Sequence, residues 1–486
     1  AMAYYDTSAS GPAVSCSGGG SQNVNCAAAN TPATPAAPAA PLDPIASRKD
    51  LAKRLRALLA TAVPRVEKRP TRVSRATAEA LESALQRGAQ IMSHRPDPDM
   101  QGYIIGFDLG TSSVKCAYRQ PYMAGDPVRS ISVPSELQSF AHPCLWQTVV
   151  WFHPDSKRFS LVPIEGSIAV EGFKSGLIRG DGRAWAGDGV HVTKAEAMTA
   201  FVAMMVAYLL GNYDLNRPLG MKAPDHYLSI NIGIPVAACD DQATNDTYAR
   251  ILAAARDLSA IADNLTLTDV RSSYSNARAQ KPAGFELVPE LAVAIAAYAA
   301  DPTAPDGAHI LVDVGASTLD IVAFNLINRA QISVFTASVE LLGAAALDQA
   351  REAGVSDDDF KRACDDAFEH VYGGARHPRR APMLFHPVHR KRHVQLVKTG
   401  GGCRTPVHEK FIAEMSKPAV LGDVPVIEPE PPAGVTDSDC DTTRLLLAYG
   451  LTRDLPELLA LRLPSQIDDL PPRDDSGPPP ITKDDV

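Results

Sequence analysis

The sequence predicts an α/β protein of two facing lobes built from a duplicated unit, with a helical extension in front. Three observations predict it. Segments 103–119 (YIIGFDLGTSSVKCAYR) and 309–324 (HILVDVGASTLDIVAF) share one plan: an apolar run, Asp-x-Gly, small hydroxyl residues, then a second apolar-rich run. Each reads as strand, tight turn, strand, and their separation of about 200 residues implies a duplication. Of 486 residues, 45% are hydrophobic and 21% charged, an ordinary globular composition for a chain that can bury a large core. Ahead of the first hairpin, leucines recur at helical spacing.

From the N-terminus, residues 1–45 are rich in Ala, Pro, Gly and Ser and are expected to be disordered. Residues 46–100 read as a basic helical extension. Leu51, Leu55, Leu58 and Leu59 share one helical face, and Ser74 is placed to cap a second helix carrying Ala78, Leu81 and Leu85. Residues 48–75 hold ten Lys/Arg against two acids, which suits an acidic or nucleic-acid partner as well as a solvated face. The lobes follow at 101–300 and 301–440. Ala197–Gly211, the longest apolar run, has 15 residues, short of the ~20 that cross a bilayer, and reads as a buried helix. A closing helix and its following segment occupy 441–463, and 464–486 is an acidic, Pro-rich tail.

Charge and cysteine usage narrow the classes. The net charge of −9 argues against a whole-chain nucleic-acid binder. Eight cysteines without a CxxC pair argue against a disulfide framework or zinc knuckle and fit a reducing cytoplasm. No basic start followed by an apolar stretch marks a signal peptide, and no membrane span is expected.

The two Asp-x-Gly turns carry the chemistry. Gly110 and Gly315 allow backbone angles closed to other residues, and small neighbours let main-chain N–H groups approach an anion. Thr111, Ser112, Ser317 and Thr318 add hydroxyl donors, and Lys115 adds a positive charge. Asp108 and Asp313 would repel phosphate directly, so they make sense with Mg²⁺ between, bound through water and phosphate oxygens. Either turn alone is an ordinary Gly turn. Together they can clamp the phosphates of a nucleotide from opposite sides.

Further motifs follow in order: IGIPVAACDDQ (232–242, with Pro235, Asp240 and Gln242), ELAVAIAAY (290–298), GGGCRTP (400–406) and RLLLAYGL (444–451). With the two turns, they resemble the actin-like ATPase superfamily, most closely the nucleotide-binding domain of the seventy-kilodalton heat-shock (DnaK-type) chaperones. The resemblance covers about 350 residues. It implies duplicated ribonuclease-H-like domains around an ATP–Mg²⁺ cleft. It implies that Asp108 and Asp313 organise the metal, that Glu290 positions the attacking water and that Lys174 contacts phosphate. Gly400, Gly401 and Arg404 would form the adenine wall.

Departures from that pattern shape the expectations. The second loop reads GAST where the chaperones have GGGT, which predicts slow turnover. The 87 residues from Asp313 to Gly400 predict a trimmed outer subdomain in the second lobe. Lys361, on 356–368, is a candidate ribose contact on what otherwise reads as an acidic surface helix. The basic loop 376–393, with His386, His389 and His393, reads as a solvated loop or one that contacts a partner or nucleic acid, and less well as a metal site, since Arg379, Arg380, Arg390, Lys391 and Arg392 would repel a cation. The 36 residues after Gly450 cannot build a β-rich client-binding domain. The expected function is therefore a slowly hydrolysing ATP switch that regulates a protein partner through residues 46–98, with packing of the Leu51/Leu55/Leu58 face on the chain's own body the equal alternative to docking. An actin-like filament, with self-assembly, and a nucleotide-sensing scaffold are the alternatives, with a small-molecule kinase a minor one. Deletion of residues 1–98 is expected to spare ATP binding.

Overall fold

Tyr103–Leu109 (β1) is a run of seven buried residues, as a strand covered on both faces must be. In the computed structural model it lies at the centre of the first sheet. The structure describes residues 55, 72–94, 102–174, 177, 182–187, 189–216, 227–235, 242–327, 331–376, 394–417, 419–422, 424–436, 441–454 and 461–462. The expectations for 1–45, Asp240, the histidine-bearing loop and the 464–486 tail lie outside them, as does most of 46–71.

β1 pairs antiparallel with β2 (Ser113–Arg119), which pairs with β3 (Val128–Ser130). On its other side β1 pairs parallel with β4 (Tyr227–Ile234), followed by β5 (Phe285–Pro289). The second sheet repeats this order. β6 (Gly307–Val314) pairs antiparallel with β7 (Leu319–Ile327), which pairs with β8 (Gln331–Glu340). β6 also pairs parallel with β9 (Gln395–Thr399), followed by β10 (Val426–Ile427). Helices complete a βββαβαβα order in each half, so the chain is an α/β protein with two mixed sheets of ribonuclease-H-like plan. Small strands and turns between β3 and Lys194 extend the first lobe.

The last helix of each half packs on the other half. α5 (Glu290–Ala299), from the first, places Leu291, Ile295 and Tyr298 against Leu311, Val322 and Phe324 of the second sheet. α9 (Thr442–Leu451), from the second, places Leu445, Ala448 and Tyr449 against Ala117 and Val128 of the first. These helices touch so closely that a Cβ on Gly450 would lie 2.8 Å from the Val293 carbonyl oxygen. Asn231 on β4 then donates from Nδ2 to the carbonyls of Leu451 (2.7 Å) and Arg453 (3.0 Å), closing the end of α9.

The apolar run of the first lobe forms α2 (Lys194–Asn216), buried along most of its length. It is long and apolar enough to cross a membrane, but protein covers it. Part of the cover is α1 (Arg75–Ser93), which buries Leu81, Ala84, Leu85, Ala89 and Met92. Ser74 caps α1, accepting from the Thr77 N–H, as its sequence position predicts. Glu136 holds this start to the first lobe, accepting from the Ser74 N–H (2.7 Å) and the Thr77 hydroxyl (2.5 Å). Leu55 is buried with the core of the second lobe.

Much of the extension is thus built into the body, and deletion through residue 98 strips α1 from α2. We expect that deletion to destabilise the protein rather than leave nucleotide binding untouched. The contact itself is testable. A Cβ on Gly211 would fall 1.9 Å from the Ala84 carbonyl oxygen, and one on Gly88 1.8 Å from that of Ala207. Gly211→Ala should cost at least ~1–3 kcal/mol by overpacking, read as a lower unfolding midpoint in urea. An unchanged midpoint would mean that the helices are not in backbone contact.

Candidate functional site

The two hairpins solve the same backbone problem with different charges. In the first, Asp108 is buried near the end of β1 and pairs in register with Lys115 on β2. Lys115 Nζ donates to its Oδ2 at 2.9 Å. In the second, Asp313 pairs in register with Asp320, one carboxylate opposite another. Like charges directly across an antiparallel pair repel. Burial pushes the Asp313 carboxyl up to about 7; Lys115 and Lys174 pull it down, while Asp108 and Glu290 push it up. Burial, with Asp313 and Glu290 adding to it, also pushes Asp320 well above the usual carboxylate range, against Thr318 and Lys174.

These influences bring together residues that are far apart in sequence. Asp108, Lys115, Lys174 and Glu290, all singled out from sequence with Asp313, each act on the Asp313 carboxyl. Lys174 is buried and donates to Glu290 Oε1 at 2.5 Å, which fixes the carboxylate at the N-terminus of α5. Gly233 on β4 makes room for it: a Cβ there would lie 3.1 Å from Glu290 Cγ. Asp320 belongs to the cluster too and was missed. Its signal was present, since it follows Asp313 by seven residues as Lys115 follows Asp108.

Each turn is braced from outside. Thr148, fully buried, donates its hydroxyl to the Gly110 carbonyl (2.8 Å) and its N–H to the Ser112 carbonyl (3.2 Å). Thr111 and Ser112 stand at this turn, partly exposed. In the second loop, the carbonyls of Gly315, Ala316 and Ser317 accept from the N–H groups of Ala344, Ala345 and Gly343 at the start of α6 (Ala344–Glu352). These bonds fix the peptide planes from Gly315 to Thr318.

The GGGCRTP segment follows β9 and abuts the second hairpin. Gly400 has φ +86°, and a Cβ there would stand 2.2 Å from Asp313 Oδ1, so only glycine fits. Gly401 lies against the guanidinium of Arg444, 3.3 Å from Nε to an added Cβ. Arg404 is ion-paired with Asp441 (2.7 Å), which also accepts from the Thr443 N–H and caps α9. Sequence reasoning assigned no role to Arg444. Lys361 is buried but serves a different end, paired with Asp365 and with Glu414 on α8 (Pro406–Met415). It ties two helices of the second lobe.

The donor set suits a cation that arrives with its own oxygen ligands. Among the described residues no three His, Cys, Asp or Glu side chains form a metal cage. Mg²⁺ uses one or two carboxylates plus water and phosphate, and the Asp313–Asp320 pair offers raised carboxyls and a buried Asp320 Oδ1 without a hydrogen-bond partner. Comparison with protein-family models gives no match, and comparison with curated proteins gives none.

The raised Asp313 carboxyl has a sign that can be tested. Between about pH 4 and 7 the folded protein holds a proton there that the unfolded chain has released. Stability without ligand should therefore fall as pH rises through this window, and Asp320, raised in the same way, adds to the fall. Asp313→Asn should reduce that slope and raise the melting temperature at about pH 8, by roughly 1 °C per kcal/mol gained in a chain of this length. An unchanged slope would show that the carboxyl is ionised throughout.

Proposed function

We propose that this chain is a slow Mg²⁺-dependent ATPase of the actin-like superfamily, most similar to the nucleotide-binding domain of DnaK-type chaperones. Its nucleotide state would set the relation of the two lobes, and a protein partner would read it. One observation carries the reading: Asp108 and Lys115 from one hairpin, Asp313 and Asp320 from the other, and the Lys174–Glu290 pair converge on one another. The triphosphate would lie between the two Gly turns and accept from their main-chain N–H groups and from Thr111, Ser112, Ser317 and Thr318. Asp108 and Asp313 would hold Mg²⁺ through its waters. When bound, Mg²⁺ supplies positive charge to the phosphate oxygens and neutralises charge that builds up as the terminal phosphoryl group leaves. Glu290, held by Lys174, would orient the attacking water and accept its proton. Lys115 would offset phosphate charge without leaving Asp108. Gly400 and Gly401 would let the backbone approach the base beside Arg404.

Slow turnover follows from the parts. A single positioned carboxylate accounts for roughly 10²–10⁴-fold acceleration, and Glu290 is the one base this arrangement supplies. The rate should lie below the ~1–100 s⁻¹ of kinases. Asp108→Asn and Asp313→Asn should each weaken Mg·ATP binding or abolish hydrolysis, measured by calorimetry and phosphate release. Glu290→Gln should keep ATP bound and lose hydrolysis by about 10²-fold or more. Parental activity in all three would place any ATPase site elsewhere.

A further inference from the structure

We propose that the loop tip at Ser139–Pro143 is a base clamp, in which the Phe140 ring of the first lobe stacks on a purine beside the arginines of the second. This rests on the nucleotide-binding reading above and names its base-recognition element.

The loop is built to present its tip. Val133 N–H donates to the Pro143 carbonyl (2.7 Å) and Ser139 N–H to that of Leu145 (2.8 Å). Gln138 Nε2 donates to the Val133 carbonyl (2.9 Å) and Gln147 Nε2 to the Gln138 carbonyl (3.0 Å). On this frame Phe140 and Ala141 both take positive φ, +53° and +49°, where side chains are disfavoured. The result is that Phe140 is 58% exposed, although a phenylalanine gains by burial. Two adjacent disfavoured residues that hold an aromatic face outward mark a binding element.

The surroundings say what it would bind. The Arg444 guanidinium lies 5.9 Å from the Phe140 ring centroid and also against Gly401. Arg404 and Arg444 both lean on Asp441, so among the described residues two guanidinium groups share one carboxylate. His142 sits among the same groups. Burial holds its imidazole below the ordinary range, and Arg444 and Arg404 add to this against Asp441. An aromatic ring, two planar cations and a glycine backbone without a side chain together recognise a flat, electron-rich π-surface. A purine offers more of that surface than a pyrimidine. Because the ring and the arginines come from different lobes, a stacked base would also report on lobe closure.

The test uses the full chain as wild type, Phe140→Ala and Phe140→Tyr, titrated by calorimetry with Mg·ATP and separately with Mg·tripolyphosphate. Phe140→Ala should weaken ATP binding about 10-fold and leave tripolyphosphate binding and the melting temperature unchanged. Phe140→Tyr should keep wild-type affinity for both. Equal ATP affinity in wild type and Phe140→Ala overturns the proposal. So does a parallel loss of both ligands, which would make Phe140 an interlobe latch. A wild-type protein that binds neither ligand overturns the nucleotide reading itself, and this inference with it.

Discussion

Four carboxylates meet two ammonium groups between the hairpins, and the structure is organised around that imbalance. Asp108 has its neutraliser opposite it in register, and Glu290 has Lys174. Asp313 and Asp320 face each other in register, and burial raises both against the pull of Lys174. Without a ligand, such a pair lowers its energy by holding a proton. With the proposed divalent cation bound it would ionise, and the cation would draw phosphate to the same place. The duplicated backbone thus carries an ion-paired aspartate in one lobe and a pair of raised carboxyls in the other. That asymmetry is what would make the proposed site respond to its ligand.

The exchange of terminal helices sets how such a response could travel. α5 starts at Glu290 and ends in the core of the second lobe, while α9 is capped at its start by Asp441, beside Arg404, and at its end by Asn231 of the first. Each helix has one end at the candidate site and its body packed on the opposite sheet. Their contact at Gly450 and Val293 leaves no room for a side chain. A change in the charge of the site therefore acts on elements that already belong to both halves.

The residues legible in the sequence were those whose chemistry is local. Asp-x-Gly followed by small hydroxyl residues announces a tight turn with donors, and both copies fold into the hairpins they imply. Lys174 was legible only through a loose likeness, yet it reaches Glu290. Asp320 was legible in principle, at the offset that picked out Lys115, but a carboxylate where its counterpart has a lysine did not invite the comparison. Other features leave no local signal. The α1–α2 contact depends on Gly88 and Gly211 meeting carbonyls more than a hundred residues away. The strained Phe140 tip depends on a backbone angle that its sequence disfavours. The Leu81 and Leu85 stripe was read correctly as amphipathic, but periodicity gives a buried face and not the surface that buries it.

The central claim is that the two hairpins form one site for a metal-bound triphosphate. Titrating the full-length wild-type protein with ATP, with Mg²⁺ and again with excess chelator, at pH values either side of 7, tests it most directly. The account predicts one ATP per chain with Mg²⁺, strong loss of affinity without it, and proton release on binding that grows as pH falls below 7. Binding indifferent to Mg²⁺ and to pH, or no binding in either condition, would contradict it.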